Sequence, residues 1–330
     1  MKAFKEIAGQ KELVRYLQNA AETGDISHAY LFTGASGSGK KLLAETFAAT
    51  LLCERGSTEP CMDCASCKKA EAGNHPDILY ITHEKAGITV DDIREQVVST
   101  VAVRPYYGPW KIYIMEDAEL MGPEAQNALL KSIEEPPAYV VMLLLTASPE
   151  MLLPTILSRC VKLSVKPVED GEVRAYLMEK LQIPDYEADI AVSFAQGSIG
   201  RAIEAAGSAD FARILQNALR ILGESDRMDT EAVTDGVQVI TENKQEISEY
   251  LDIFQMWFRD VLMMKATRET DHLVFRQEIH RIKDQAQERS YENLEKILAG
   301  IEKTRARIKA NVNVDLALVL LLLNMRDLQD

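Results

Sequence analysis

The chain has 330 residues, 47% hydrophobic and 27% charged, enough for two or three domains that each bury a core. Its 51 acidic residues against 37 basic ones leave a formal charge of -14, which excludes a protein that grips nucleic acid over its whole surface, because that affinity comes from Lys and Arg displacing counterions. No apolar run reaches the ~18 residues of a membrane span, and the start MKAFKEIAGQKELV lacks the basic stretch and apolar core of a secretory signal, so a cytoplasmic chain with no membrane partner is expected.

In chain order, Leu13, Val14, Tyr16 and Leu17 form the apolar stripe of a helix over 11–22, and AYLFTG reads as a strand leading into GASGSGKK at 34–41. Gly34, Gly39 and Lys40 fit the phosphate-loop pattern G-x-x-x-x-G-K-[ST], with Gly37 a further glycine inside it. Glycines let successive backbone N–H groups face one concavity, and the helix that follows, over 38–52, adds the partial positive charge of its first turn. The alternative reading is a tight strand-to-helix turn. At the last position Lys41 stands where a Ser or Thr hydroxyl would ligate Mg2+. ATP or ADP binding is therefore in question at this loop, and hydrolysis more so.

Next come Cys53, Cys61, Cys64 and Cys67, spaced C-x7-C-x2-C-x2-C. In a reducing compartment such spacing points to metal before disulfide, and four thiolates suit a closed, structural tetrahedral Zn2+ site. Reduced buried thiols and a redox pair remain as alternatives. His75 lies eight residues beyond the last cysteine and is not expected to join them, and Cys160 stands apart as a core thiol.

Further strands are expected at 77–81 (DILYI), 111–115 (KIYIM), 139–147 (YVVMLLLTA) and 161–165 (VKLSV), alternating with helices over 89–102 and 122–135; Pro136 and Pro137 end the second helix. This alternation implies an α/β fold with a mostly parallel sheet covered on both faces. Glu116 and Asp117 follow KIYIM as the two acids of a Walker B site, in the order Glu then Asp where an active enzyme has Asp then Glu. Two exposed acids at a strand end are the plainer alternative. Arg159 in LPTILSRC would by itself be a surface cation. After Pro167 only helices are expected, at 169–181, 185–196, 199–207, 209–223, 229–242, 244–267, 271–284, 290–309 and 312–327, the last containing the run LALVLLLL read as a buried terminal helix.

HAYLFTGASGSGKK, the four cysteines, NHPDILYI, KIYIMEDAELM, NALLKSIEEPP, TASPEMLLPTILSRC and GSIGRAI, in this order over residues 1–207, resemble the AAA+ subunits of the bacterial DNA polymerase III clamp loader. The resemblance implies a RecA-like domain at 1–166 with a zinc insertion at 53–67, a helical lid at 167–207 and a helical collar at 208–330. It further implies a pentameric ring with gamma/tau and delta subunits that loads a sliding clamp onto primed DNA. By position, Arg159 corresponds to the family's arginine finger, Arg201 to its sensor 2 arginine, and Thr146 or Ser148 to sensor 1. Glu134 and Glu135 oppose a helix dipole and call either for cationic partners or for solvent. The altered loop and acids favour a non-catalytic member that acts on a neighbour's ATP; the alternative is an ATP-hydrolysing motor subunit of the gamma/tau type. A zinc-dependent DNA-binding module would need a basic face, and Glu54, Arg55, Glu59, Asp63, Lys68 and Lys69 are too mixed for one. A small-molecule kinase would need the metal hydroxyl and an acceptor site, and neither is visible.

Overall fold

The computed structural model describes residues 3–83, 87–270, 273–310 and 312–326. The chain divides into two compact units. One runs through Tyr176 and includes Gly197–Gly200; the other holds Leu177–Gln196 and the described residues from Arg201 onward.

The first unit contains α1 (Lys11–Thr23), β1 (Ala29–Thr33), α2 (Lys40–Leu51), α3 (Ala65–Glu71) and β2 (Ile78–Ile81). After these come α4 (Val90–Ile93), β3 (Lys111–Met115), α5 (Pro123–Glu134), β4 (Val140–Thr146), α6 (Pro154–Leu157) and β5 (Val161–Ser164). The five strands pair in parallel in the order β2-β3-β4-β1-β5. Parallel neighbours need crossover connections, so helices cover both faces and central strands become continuously apolar. β3 and β4 are buried at every position.

Strand alternation sorts the core into two layers. Tyr30, Phe32, Ile112, Ile114, Val141 and Leu143 meet Leu13 and Leu17 of α1 and Leu43 and Phe47 of α2. On the other face Leu31, Tyr113, Met115, Met142 and Leu144 meet Ile93, Leu129, Ile133 and Ile156. Because all strands run the same way, the ends of β1, β4 and β3 lie side by side at one edge, where ligands of open parallel sheets bind.

Beyond β5 the chain is helical: α7 (Asp170–Leu181), α8 (Asp185–Ala195), α9 (Ile199–Gly207), α10 (Ala209–Gly223), α11 (Thr230–Thr241), α12 (Ile247–Thr267), α13 (Ile279–Glu288), α14 (Tyr291–Lys309) and α15 (Val314–Arg326). In α12, Ile247, Tyr250, Leu251, Phe254, Trp257, Phe258 and Val261 are buried, as the periodicity requires.

Some expectations are corrected. The helix expected over 89–102 is only α4 followed by a π-helical turn at Arg94–Val98. The helix expected over 271–284 becomes a 3-10 turn at Arg276–Glu278 followed by α13, because the buried Asp260 carboxylate accepts the N–H groups of Val274 and Phe275 and holds them out of a helix. Residues 271–272, and 327 at the end of the last expected helix, lie outside the described residues. In α15, Leu318, Leu321 and Leu322 are buried, but Leu316, Leu320 and Leu323 are exposed.

Candidate functional site

The loop between β1 and α2 starts where Gly34 N–H donates to the Thr146 carbonyl at 3.2 Å, tying the ends of β1 and β4 together. Gly37 and Gly39 are left-handed, with φ of 72° and 93°, a conformation a side chain disfavours. Gly39 is the N-cap of α2 and offers no side-chain cap, so the first-turn N–H groups of the helix remain open to a ligand. Residues 197–200 of the same unit lie on the loop: Gly200 N–H donates to the Gly37 carbonyl at 3.3 Å, and a Cβ on Gly200 would lie 2.8 Å from that oxygen. A cavity of about 440 Å3 opens beside Gly37, Gly39, Lys40, Lys41, Glu116 and Asp117. The loop, the lysines and both acids are thus brought together, as their sequence pattern requires.

The lysines have distinct tasks. Lys40 Nζ donates to the carbonyls of Gly34 at 2.7 Å and Ala35 at 2.8 Å, and burial holds its pKa below the ordinary lysine value against the pull of Glu119 and Asp117. Lys41 Nζ lies 2.7 Å from Glu116 Oε1, and that hydrogen bond raises its pKa, so it is a fixed cation at neutral pH. Its position answers the question of Mg2+ on geometry. Lys41, which stands at the position of the missing hydroxyl ligand, places its ammonium on the Glu116 carboxylate that would hold the ion, so the residues present do not fit the metal. Asp117 adopts φ 47° and starts the 3-10 turn Ala118–Leu120.

Glu119 was missed by sequence reasoning. Its Oε1 accepts the Ala147 N–H at 2.9 Å, fixing the chain just after Thr146. A third acid within three residues of Glu116 was the available signal. Thr146 is buried, and its hydroxyl accepts the Ser148 N–H at 3.0 Å, an arrangement that holds the end of β4.

Arg159 follows α6. One guanidinium nitrogen lies 2.9 Å from Glu134 Oε1 at the end of α5, and the other donates to the Thr155 carbonyl at 3.0 Å. Glu134 therefore has a cationic partner that sequence could not name. Arg201 lies in the second unit, where Asp252 binds it at 2.6 Å and Phe194 lies under it with the ring centroid at 4.7 Å.

The thiols of Cys53, Cys61, Cys64 and Cys67 all lie within 4.8 Å of one another. Four sulfurs around a tetrahedral zinc at about 2.3 Å would be about 3.8 Å apart, and Cys61 and Cys67 are at 3.9 Å. The donor set therefore fits zinc. Backbone N–H groups of Cys64 and Cys67 donate to the sulfurs of Cys61 and Cys64, each at 3.3 Å. N–H donation from Asp63 and Cys64 lowers the Cys61 pKa to about 6, whereas burial raises that of Cys67, so the fit to zinc rests on the sulfur geometry. His75 stays outside the cluster: it is buried, with Nε2 3.0 Å from Ser66 Oγ, and Nδ1 accepts the Asp77 N–H at 3.1 Å. Burial raises the Cys160 thiol to about 11, consistent with an unreactive core position.

Two family models match the chain, one described as DNA polymerase III, delta subunit, over residues 9–169 and one as its C-terminal part over residues 210–327. The tau/gamma subunit of DNA polymerase III from Haemophilus influenzae is 36% identical over 205 residues, which is 60% of this chain and 29% of that relative. The delta' subunit of DNA polymerase III from Bacillus subtilis is 27% identical over 310 residues, 92% of each chain. The chain thus spans nearly all of one relative and less than a third of the other. Among solved structures, a gamma-subunit-related protein of DNA polymerase III from Thermotoga maritima has a TM-score of 0.53 at 19% identity, over 96% of this chain and 99% of that one, a likeness of fold.

Proposed function

This chain belongs to the DNA polymerase III delta-subunit family, and on that premise we propose that it is a delta prime-type subunit of the bacterial clamp loader. In this reading it does not hydrolyse ATP at its own loop and completes the site of a neighbour. The observation that carries the proposal is the 2.7 Å pair of Lys41 with Glu116. Phosphoryl transfer at such loops needs a metal bridging the outer phosphates, and here a side-chain cation holds the metal's place. Arg159 acts in trans. It is partly exposed, held by a surface carboxylate and the Thr155 carbonyl, so it can turn to a neighbour's transferring phosphoryl group, where an arginine supplied across an interface is worth about 10^3 to 10^5 in rate.

The partners in this reading are gamma/tau and delta subunits in a pentameric ring, with the sliding clamp and primed DNA reached through the assembly in the cytoplasm. Residues 1–166 form the RecA-like domain, 167–207 the lid with Arg201, and 208–330 the collar. The cysteines hold a structural zinc, which supplies folding energy locally and no chemistry to ATP.

The motor reading draws on the 36% identity to the tau/gamma relative, and it predicts Mg2+-dependent turnover by the isolated chain. The test is ATP hydrolysis by the chain alone and in a loader reconstituted with primed DNA, with wild type and Arg159→Ala. No turnover alone, with stimulation of the mixture that falls at least about a hundredfold in Arg159→Ala, is expected. Turnover by the isolated wild type, or a mixture indifferent to Arg159→Ala, would overturn the proposal.

A further inference from the structure

We propose that Tyr106 and Tyr107, displayed on a loop braced by the cysteine-bearing helix α3, form a stacking platform for single-stranded nucleic acid, with Lys69 and Arg104 meeting its phosphates. The site is separate from the glycine loop. Glu116 follows the last residue of β3 and the tyrosines precede its first, so the two lie at opposite edges of the sheet, roughly 16 Å of strand apart. Tyr106 is 84% exposed and Tyr107 52%. Tyr106 thus adds little burial to the fold, yet the backbone under it is fixed. The buried carboxylate of Asp77 accepts the N–H groups of Tyr106, of Tyr107 at 2.6 Å and of Gly108 at 3.0 Å. Lys111 Nζ, at the start of β3, donates to the carbonyls of Thr100 at 2.6 Å and Val103 at 3.1 Å. Helix α3 supports the loop from the side. Its Ser66 Oγ donates to the Leu52 carbonyl at 2.7 Å and lies 3.0 Å from Nε2 of His75, whose ring meets Tyr107 edge-on with centroids 6.2 Å apart. Lys69 Nζ, on the same helix, stands 3.6 Å from the centre of the Tyr107 ring. Rings held in place beforehand lose little freedom on binding, which makes them efficient contacts.

The chemistry of the patch selects the ligand. The two rings are 5.9 Å apart and tilted by 45°, so each presents a face of its own. Bases in a duplex cover one another, whereas those of a single strand can stack on aromatic side chains and bring one phosphate each to nearby cations. Lys69 and Arg104 are in no ion pair among the described residues, while Lys68 is paired with Asp63 at 3.2 Å. The nearest acids do not cancel them. Asp77 is buried with its oxygens taken by the three N–H groups, and Glu71, two positions beyond Lys69, points from the opposite side of α3. Residues 101–110 form no strand, so the loop has no edge for a peptide to extend. Most of the affinity comes from stacking, so the mixed charge of the cysteine stretch is no obstacle.

The experiment is fluorescence anisotropy of a labelled oligo(dT) of about 20 nucleotides titrated with the full chain, beside a blunt duplex of the same length. Oligo(dT) is expected to bind at least about tenfold more tightly than the duplex, with log affinity falling against log salt at a slope of about -1.4 for two phosphate contacts. Tyr106→Ala should weaken binding by about tenfold and Tyr106→Phe by no more than about twofold. Arg104→Ala should reduce the slope to about -0.7. Both Tyr106 substitutions are at an open position, and equal unfolding midpoints check that the fold is kept. A competing peptide of about 20 glutamates, matched to the oligonucleotide in length, tests whether bases are read at all. If it displaces the label as well as unlabelled oligo(dT) does, the surface takes acidic protein segments and the inference falls. No binding at low salt, equal affinity for the duplex, or binding indifferent to Tyr106→Ala overturns it as well. The glycine loop takes no part in the measurement, so neither result bears on the roles of Lys41 and Arg159.

Discussion

Arg159 and Glu134 hold each other at 2.9 Å with 39% and 44% of their side chains exposed. Pairs so wet contribute about 0.2–1 kcal/mol, so exchanging the carboxylate for a more highly charged phosphoryl group costs little. Glu134 is then a resting partner for the arginine. Glu134→Gln keeps the shape of the side chain and removes its charge. The variant should leave thermal stability within about 0.5 kcal/mol of wild type and raise the Arg159-dependent ATPase of the reconstituted loader by up to about fivefold at limiting concentration. A fall in that ATPase would mean that Glu134 orients the arginine productively. Arg159 and Lys41 were legible in the sequence because each sits inside or departs from a recognisable pattern. Their partners were not, since Glu134 precedes Arg159 by 25 positions and Glu116 follows Lys41 by 75, and only the packing of α5 on α6 and of α2 on β3 brings them together.

At the scale of elements, the five strands could be read to within a residue or two, because apolar runs bounded by Gly, Pro and charged residues have no other stable home than a doubly covered sheet. Helix α3 was not legible: its sequence ASCKKAE carries no apolar stripe, and what fixes it is the cysteine cluster at its start. Cys64 is at once a candidate ligand and the N-cap of that helix, with its sulfur accepting the Cys67 N–H. Cys64→Ser separates the two roles, since serine is a strong N-cap and a poor zinc ligand. Elemental analysis of wild type purified under reducing conditions should find one zinc per chain, and Cys64→Ser much less. Amide exchange in the variant should quicken over residues 53–71 while β1, β3 and β4 stay protected. A metal-free wild type would return the cluster to reduced thiols, and equal zinc in both proteins would show that Cys64 is not a ligand.

At the scale of the whole molecule, each unit has its own core, and in the second the core encloses polar groups that sequence patterning treats as surface. Trp257 donates its indole N–H to Gln285 at 3.0 Å, Gln285 donates to the Leu222 carbonyl at 2.7 Å, and Arg289, fully buried, donates to Ser225 at 3.0 Å. Asp260, one turn from Trp257 on α12, is 1% exposed. Burial pushes its pKa up to about 6, against the N–H bonds from Phe275 and Val274 that favour the carboxylate. The folded chain therefore holds this proton more tightly than the unfolded chain does. Its contribution to stability is complete below the ordinary carboxylate pKa and is lost as pH rises through about 6. Between pH 5 and pH 7 that loss is on the order of 1 kcal/mol. Asn at this position still accepts the two N–H groups through its carbonyl oxygen but has no charge to bury. The chain has two tryptophans, so Trp110→Phe leaves Trp257 as the reporter of the second unit. In that background, Asp260→Asn should gain about 1 kcal/mol in urea unfolding relative to Asp260 as pH is raised from 5 to 7, with the difference set by the ionisation of this one carboxyl. A difference independent of pH would mean that Asp260 keeps one protonation state throughout, and that its two N–H bonds outweigh the cost of burying its charge.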